Sequence, residues 1–376
     1  MRILSFVLFL SLAGDLFAQT AGASAQAWSE FRGTASRTGV SMAEIPEELA
    51  LLWSFEAGFS IDSSAAIVDG VVYMTALPGL VAALDLENGS TVWQRDFGDE
   101  EDRFGESSPT VVDGIVYVGD LMGELHAFDA ADGTTLWSFA TEAEIKSSPV
   151  VFEDLVLTSS YDERLYALDR KTGQLEWQFQ SQGPLHSTPS RDGDLVFVTG
   201  CDAVLRGIRL EDGAEVVQMD SGAYTAASPA LVDGIAYYGT FNNDVLAVDL
   251  RKQEYLWRYE HPVRHFPFYS SAAVSGDTVV VGGRDKIIHA IDRRTGEALW
   301  TYRTGARVES SPVIAGSRVY IGSADGRFYV LSLDDGEKLW EFNAGAPFVA
   351  SPALASGTIV IGSQDGVLYA FGAKKR

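Results

Sequence analysis

Residues 310–340 read "SSPVIAGSRVYIGSADGRFYVLSLDDGEKLW". The stretch opens on a small-residue triplet, alternates apolar with small or polar positions through VIAGSRVYIGS, and resumes the alternation after an Asp-Gly pair. A second turn, DDG, precedes EKLWEF. Period-two alternation bounded by turn residues marks half-buried strands, and Asp-Gly is a strong short-range hairpin signal. The stretch therefore predicts four short antiparallel strands in one unit of about 40 residues.

The unit repeats. Its triplet stands at 63, 107, 147, 187, 227, 270, 310 and 350, with spacings of 44, 40, 40, 40, 43, 40 and 40. Asp85, Asp129, Asp169, Asp249 and Asp292 each follow their triplet by 22 residues, and Trp93, Trp137, Trp177, Trp257, Trp300 and Trp340 follow by 30. Only the fourth repeat, with Arg209 and Val217, and the seventh, with Ser332, depart from this. A four-stranded sheet of this size buries both faces only by stacking on neighbours, so the repeat predicts the blades of a β-propeller. The tryptophan reads as the bolt between blades and the aspartate as an acceptor for turn N–H groups.

Closure follows from what the ends lack. The eighth repeat stops at VLYAFGAKKR without a tryptophan strand, whereas "LLWSFEAG" at 51–58 precedes the first triplet. Pairing the two would complete the last blade and remove an open sheet edge. The expected architecture is all-β: one eight-bladed propeller over residues 51–376, ring-closed by an N-terminal strand, with a lead-in over 19–50 and a signal peptide over 1–18.

Composition is consistent with that class. The chain has 37 Gly, 14 Tyr, 20 Phe and 8 Trp, and beyond the N-terminus no apolar run of 18 or more. At 376 residues it exceeds the usual single core, but a propeller spreads its core over many seams. "MRILSFVLFLSLAGDLFAQT" carries a basic start, a short apolar stretch and a small residue at Ala18, the pattern of a secretory signal. Cleavage is expected after Ala18, with Ala23 and Ala25 as alternatives, and export to the periplasm or the exterior. Cys201 is the lone cysteine, so the sequence offers no internal disulfide and no N-terminal cysteine for a lipid. A net charge of −24 argues against an electrostatic grip on nucleic acid or anionic lipid.

"YALDRKTGQLEWQF" (166–179), "HAIDRRTGEALWTY" (289–302) and "VYIGSADGRFYVLSLDDGEKLW" (319–340) resemble the pyrroloquinoline quinone (PQQ) repeat, from Trp53 onward. "WSEFRGTASRTGVS" (28–41) is similar to the lead-in of secreted bacterial propellers of that kind. The resemblance implies one of two branches: quinoprotein dehydrogenases, with PQQ and calcium in the central funnel, or non-catalytic propellers such as the outer-membrane assembly factor BamB. The dehydrogenase branch implies a longer chain, an adjacent-cysteine disulfide and acidic metal loops. This sequence has no Cys-Cys pair and no Cys-x-x-Cys-His. The expectation is therefore a non-catalytic, monomeric scaffold without a cofactor, acting on protein partners in the cell envelope, with no membrane insertion and no lipid anchor; the alternative is a PQQ-dependent dehydrogenase or a propeller that binds a small ligand in the central funnel.

Two sets of candidate residues emerge. Those just before each triplet, Asp62, Glu106, Lys146, His186, Ala226, Tyr269, Glu309 and Val349, enter the innermost strand and are expected to ring one mouth of the channel. The two longest connections, 94–106 and 258–269, lie four blades apart on that face. Arg103, Phe104, His261, Arg264, His265, Phe266 and Phe268 on them are the expected docking residues for a protein partner. His126 and His289 fall at a third-strand position and read as structural, and His261 with His265 is a weak metal signal.

Overall fold

The computed structural model describes residues 25–98 and 103–374; the signal peptide expected over 1–18 lies outside them. Eight antiparallel sheets, one per repeat, form an eight-bladed ring, and the described residues contain no helix. In the first blade the strands run Ala66–Val68, Val71–Ala76, Leu80–Asp85 and Thr91–Asp96 from axis to rim. The second and third strands are buried on both faces. The outer strand turns its tryptophan to the neighbouring blade and leaves its other residues exposed. The ring closes as the sequence implies: Leu49–Glu56 pairs antiparallel with Val367–Ala373 and supplies the outer strand of blade eight.

The seams are fastened by up to three devices. At the rim, the outer-strand indole donates its N–H to a carbonyl of the following blade, Trp93 to Ala130 at 2.9 Å and Trp300 to Leu333 at 2.8 Å. Its ring covers a turn glycine of that blade, Trp93 over Gly133 and Trp300 over Gly336. The aspartates act as expected: Asp85 Oδ1 accepts from the N–H groups of Glu87 and Asn88. Midway, an apolar residue before the ring position fits against the glycine ending the preceding blade's second strand. A Cβ on Gly119, Gly282 or Gly362 would collide with Ile145, Val308 or Ile61.

At the axis, the second hydroxyl of each triplet accepts an N–H from the blade before. Seven such bonds, of 2.9–3.0 Å, run from Ser64 N to Ser351 Oγ. Ser64 Oγ, at the closing seam, is buried without a hydrogen-bond partner.

The lead-in closes one end of the channel, a feature the sequence did not suggest. Its carbonyls at Trp28, Ser29, Ala35, Ser36, Thr38 and Gly39 accept from the inner strands of blades one, two, four, five, six and seven at 2.8–2.9 Å, and Ser41 Oγ donates to Leu354 of blade eight. The segment thus winds once round the floor in blade order. Two buried arginines pin it. Arg32 donates to the carbonyls of Pro312 (2.5 Å) and Ala272 (2.8 Å), and Arg37 to that of Pro189 (3.1 Å) while pairing with Glu30 (2.7 Å). Gly39, at φ +65°, leaves the space that the Arg32 guanidinium fills.

Candidate functional site

All eight residues before the triplets line one cavity of about 550 Å³ at the mouth opposite the lead-in, with Phe31 of the lead-in at its base. They point inward because each immediately precedes a triplet whose hydroxyl bonds hold that segment against the axis. Second-strand hairpins add a further ring at 14 residues past the triplet: Leu77, Leu121, Tyr161, Cys201, Phe241, Arg284, Ala324 and Gln364. Seven of them donate the backbone N–H to the carbonyl two residues before a ring residue, as Tyr161 does to Glu144 and Arg284 to Pro267, and Leu121 donates to Arg103, three before.

Long polar side chains from these rings meet across the mouth. Glu106 and Tyr269 stand on opposite blades, yet Tyr269 donates its hydroxyl to Glu106 Oε2 at 2.8 Å. His186 lies between, its Nε2 3.3 Å from Glu106 Oε2 and 3.1 Å from Tyr269 Oη, while Tyr161 Oη meets its Nδ1 at 2.5 Å. A carboxylate only accepts, so the arrangement that satisfies all four groups has His186 Nε2–H facing Glu106 and Tyr161 donating to Nδ1. Burial opposes the charge on Glu106. The donors His186 and Tyr269, with Lys146 nearby, outweigh it and hold the carboxyl below its ordinary range. Tyr269 is pushed far up by burial and by the carboxylate it faces.

The other side of the mouth is ionic: Glu309 takes Arg284 at 2.6 Å and Arg307 at 3.0 Å, and Arg284 stacks 4.8 Å over Tyr269. Lys146 lies 4.6 Å over the Tyr161 ring, and Asp62 accepts from Ser60 and Gln364. The first ring was readable from register. Tyr161, Arg284 and Arg307 were missed, although the same arithmetic applied to the hairpins would have found the first two.

The docking residues fare differently. Phe104 and Phe268 are each 1% exposed and fill seams, so neither presents a surface. Phe268 holds the buried peg position of Ile145 and Val308, which loop length alone concealed. Arg103 pairs with Asp120 (2.8 Å) and Glu124 (3.2 Å) and stacks on Phe97. Arg264 is bound to the Asp285 carbonyl at 2.7 Å, and His261 Nδ1 accepts from the N–H groups of Val263 and Arg264. His265 and Phe266 remain exposed.

Asp120, Glu124 and His126 bring three ligand-type atoms within 4.8 Å of one another. The Arg103 guanidinium already contacts both carboxylates, and the pairing of the hairpin aspartate with a third-strand side chain recurs as Asp162–Tyr166, Asp285–His289 and Asp325–Tyr329. The cluster is therefore blade construction, in keeping with the structural reading of His126 and His289.

A family model described as outer membrane protein assembly factor BamB matches residues 48–147, 77–261 and 242–375. The chain belongs to that family. The BamB structure from Moraxella catarrhalis superposes with a TM-score of 0.73 at 20% identity, covering 87% of this chain and all of that one. A quinohemoprotein alcohol dehydrogenase from Comamonas testosteroni gives 0.82 at 16% identity, over 95% of this chain and 82% of the other. At such identities these two likenesses establish the propeller fold. A quinohemoprotein alcohol dehydrogenase of Pseudomonas putida is 31% identical over 96 residues, 23% of this chain and 14% of its own length.

Proposed function

We propose that this member of the BamB family is an exported, non-catalytic propeller that serves as a protein–protein scaffold in the cell envelope, possessing no cofactor of its own. The observation that carries the reading is the web across the mouth. A metal-held quinone needs a planar slot and carboxylates free to ligate a cation. Here Asp62, Glu106 and Glu309 are each committed to protein donors, and the Tyr269–Glu106–His186 contacts cross the mouth. The residues present do not fit the group.

The runner-up, a PQQ-dependent dehydrogenase, draws on the likeness to the two alcohol dehydrogenases. One experiment separates the two. The purified mature protein is titrated with PQQ and calcium by absorbance and assayed for dye reduction with alcohols, while tagged protein is used for capture from envelope extracts. Recovery of a barrel-assembly component with no quinone bound supports the scaffold. Stoichiometric quinone, or dye reduction lost on Glu106→Gln, would overturn it.

A further inference from the structure

Charge is not spread evenly around the funnel mouth. Over blades one to three the connections and hairpins carry Asp96, Glu124, Glu142, Glu144 and Glu163, against Arg103, Lys146 and Arg164; the two arginines are already paired with Asp120, Glu124 and Glu142, and Lys146 lies over the Tyr161 ring. Over blades six and seven the balance reverses. Arg264, Arg284, Lys286, Arg303, Arg307 and Arg327 gather there against Glu260, Asp285, Glu309 and Asp325, and among the described residues Arg264, Lys286, Arg303 and Arg327 form no ion pair, while Arg284 and Arg307 share one carboxylate. In a chain of net charge −24, unneutralised cations concentrated on one half-rim need an explanation.

The same half-rim carries exposed apolar side chains. Tyr224 is 60% exposed, Phe241 36%, Val263 79% and Phe266 48%. They are continuous with the cations: Phe241 N–H donates to the Tyr224 carbonyl at 2.9 Å, Arg284 stacks 5.8 Å over Phe241, and Arg284 N–H bonds to Pro267 beside Phe266 at 3.2 Å. Aromatic groups interleaved with arginine are the residue types that anchor protein interfaces.

We infer that the half-rim of blades five to seven docks an acidic, apolar-bearing extended segment of a partner protein. This rests on the scaffold reading and names the partner's chemistry. Charge complementarity selects the occupant: an anionic membrane would meet the acidic half of the same face and be repelled by it, whereas a single extended segment can lie on the basic half alone.

The probe is a short fluorescein-labelled peptide alternating glutamate with leucine and phenylalanine, followed by anisotropy, with a lysine-for-glutamate version as control. The acidic peptide should bind, and more weakly at about 0.5 M than at about 0.15 M salt. Lys286→Glu with Arg303→Glu, both exposed and unpaired, should weaken it about tenfold or more. Phe266→Ser should weaken it severalfold. Lys171→Glu with Arg294→Glu, which changes net charge equally on the far face, should leave it unchanged.

Equal binding of both peptides, or equal loss in the far-face variant, would refute the assignment. So would binding to phosphatidylglycerol vesicles, or concentration-dependent dimerisation, abolished by the same half-rim substitutions. If capture of a barrel-assembly component persists undiminished in the Lys286→Glu, Arg303→Glu protein, the docking surface fails and the scaffold stands. If the unaltered protein captures none, the scaffold fails.

Discussion

The rim bolts can be tested at a single turn. Gly296 sits at φ +76° beneath the indole of Trp257, and a Cβ added there would lie 2.8 Å from two ring carbons. Trp257 is buried and donates to the Arg293 carbonyl at 2.8 Å, so the ring has little room to yield. Gly296→Ala therefore meets two costs: about 1–2 kcal/mol for a left-handed alanine and about 1–3 kcal/mol for the overpacked contact. The expected loss is about 2–5 kcal/mol.

Blade four supplies the control within the same chain. It has Val217 in place of tryptophan, and the turn below has Gln253 at φ +56° where the others have glycine. Gln253→Ala should cost less than about 0.5 kcal/mol, since that turn already holds a Cβ. Urea unfolding monitored by fluorescence reads both, and Trp257→Val combined with Gly296→Ala should recover about 1–3 kcal/mol of coupling in a double-mutant cycle. Equal midpoints for Gly296→Ala and Gln253→Ala, or strict additivity in the cycle, would show that the indole–glycine fit does not hold the seam.

Replacing Arg32 by methionine deprives the Pro312 and Ala272 carbonyls of donors, at about 1–3 kcal/mol each, while relieving a guanidinium that burial and Arg37 push down to about 9. A net loss of about 1–3 kcal/mol in the urea midpoint is expected, and none would mean the lead-in is not pinned by it. Tyr117, Tyr166 and Tyr259 are pushed up to about 12, chiefly by burial. With folded values above the unfolded 10.0, their contribution is intact below that pH and is lost as pH rises towards 12, so melting temperature should fall through this window. A phenolate signal near pH 10 in still-folded protein that disappears on Tyr117→Phe, Tyr166→Phe or Tyr259→Phe would contradict it. Deleting residues 28–58 removes the strand paired with Val367–Ala373 and the floor segment, and should yield aggregation and loss of cooperative unfolding; a monomer with unchanged melting temperature would refute the closure.

Register arithmetic made the fold legible, because every blade solves the same packing problem and must place tryptophan, turn aspartate and hydroxyl at fixed offsets. It also located Glu106, His186, Tyr269 and Glu309 on one mouth before any coordinates. The lead-in escaped it. Its partners are backbone carbonyls and N–H groups that carry no side-chain pattern, and its own sequence has no period; two arginines spaced among glycines were the trace of a segment built to satisfy buried carbonyls. Phe104 and Phe268 escape it for a different reason. Loop length suggests exposure throughout a long connection, whereas its last residues re-enter the ring and fill the notch left by the previous blade, as Phe268 does over Gly239.

Eight copies of each position also show where construction stops constraining the chain. Positions filled alike around the ring belong to the ring: the triplet hydroxyls, the indoles and the solitary exposed aliphatic residue on outer strands, such as Val92, Leu136, Leu299 and Leu339, need no function of their own. The residue before the triplet runs from Asp62 through Lys146 to Val349, and the hairpin position from Leu77 through Cys201 to Arg284. Packing does not dictate their identity, yet their side chains are bonded to one another rather than left loose. Tyr224 and Phe241 stand exposed where other blades place Glu144 or Arg307, and Cys201 or Gln364. On this mouth, therefore, each blade presents different side chains, with exposed aromatics on blade five. A partner that distinguishes one blade from another in this ring must read them there.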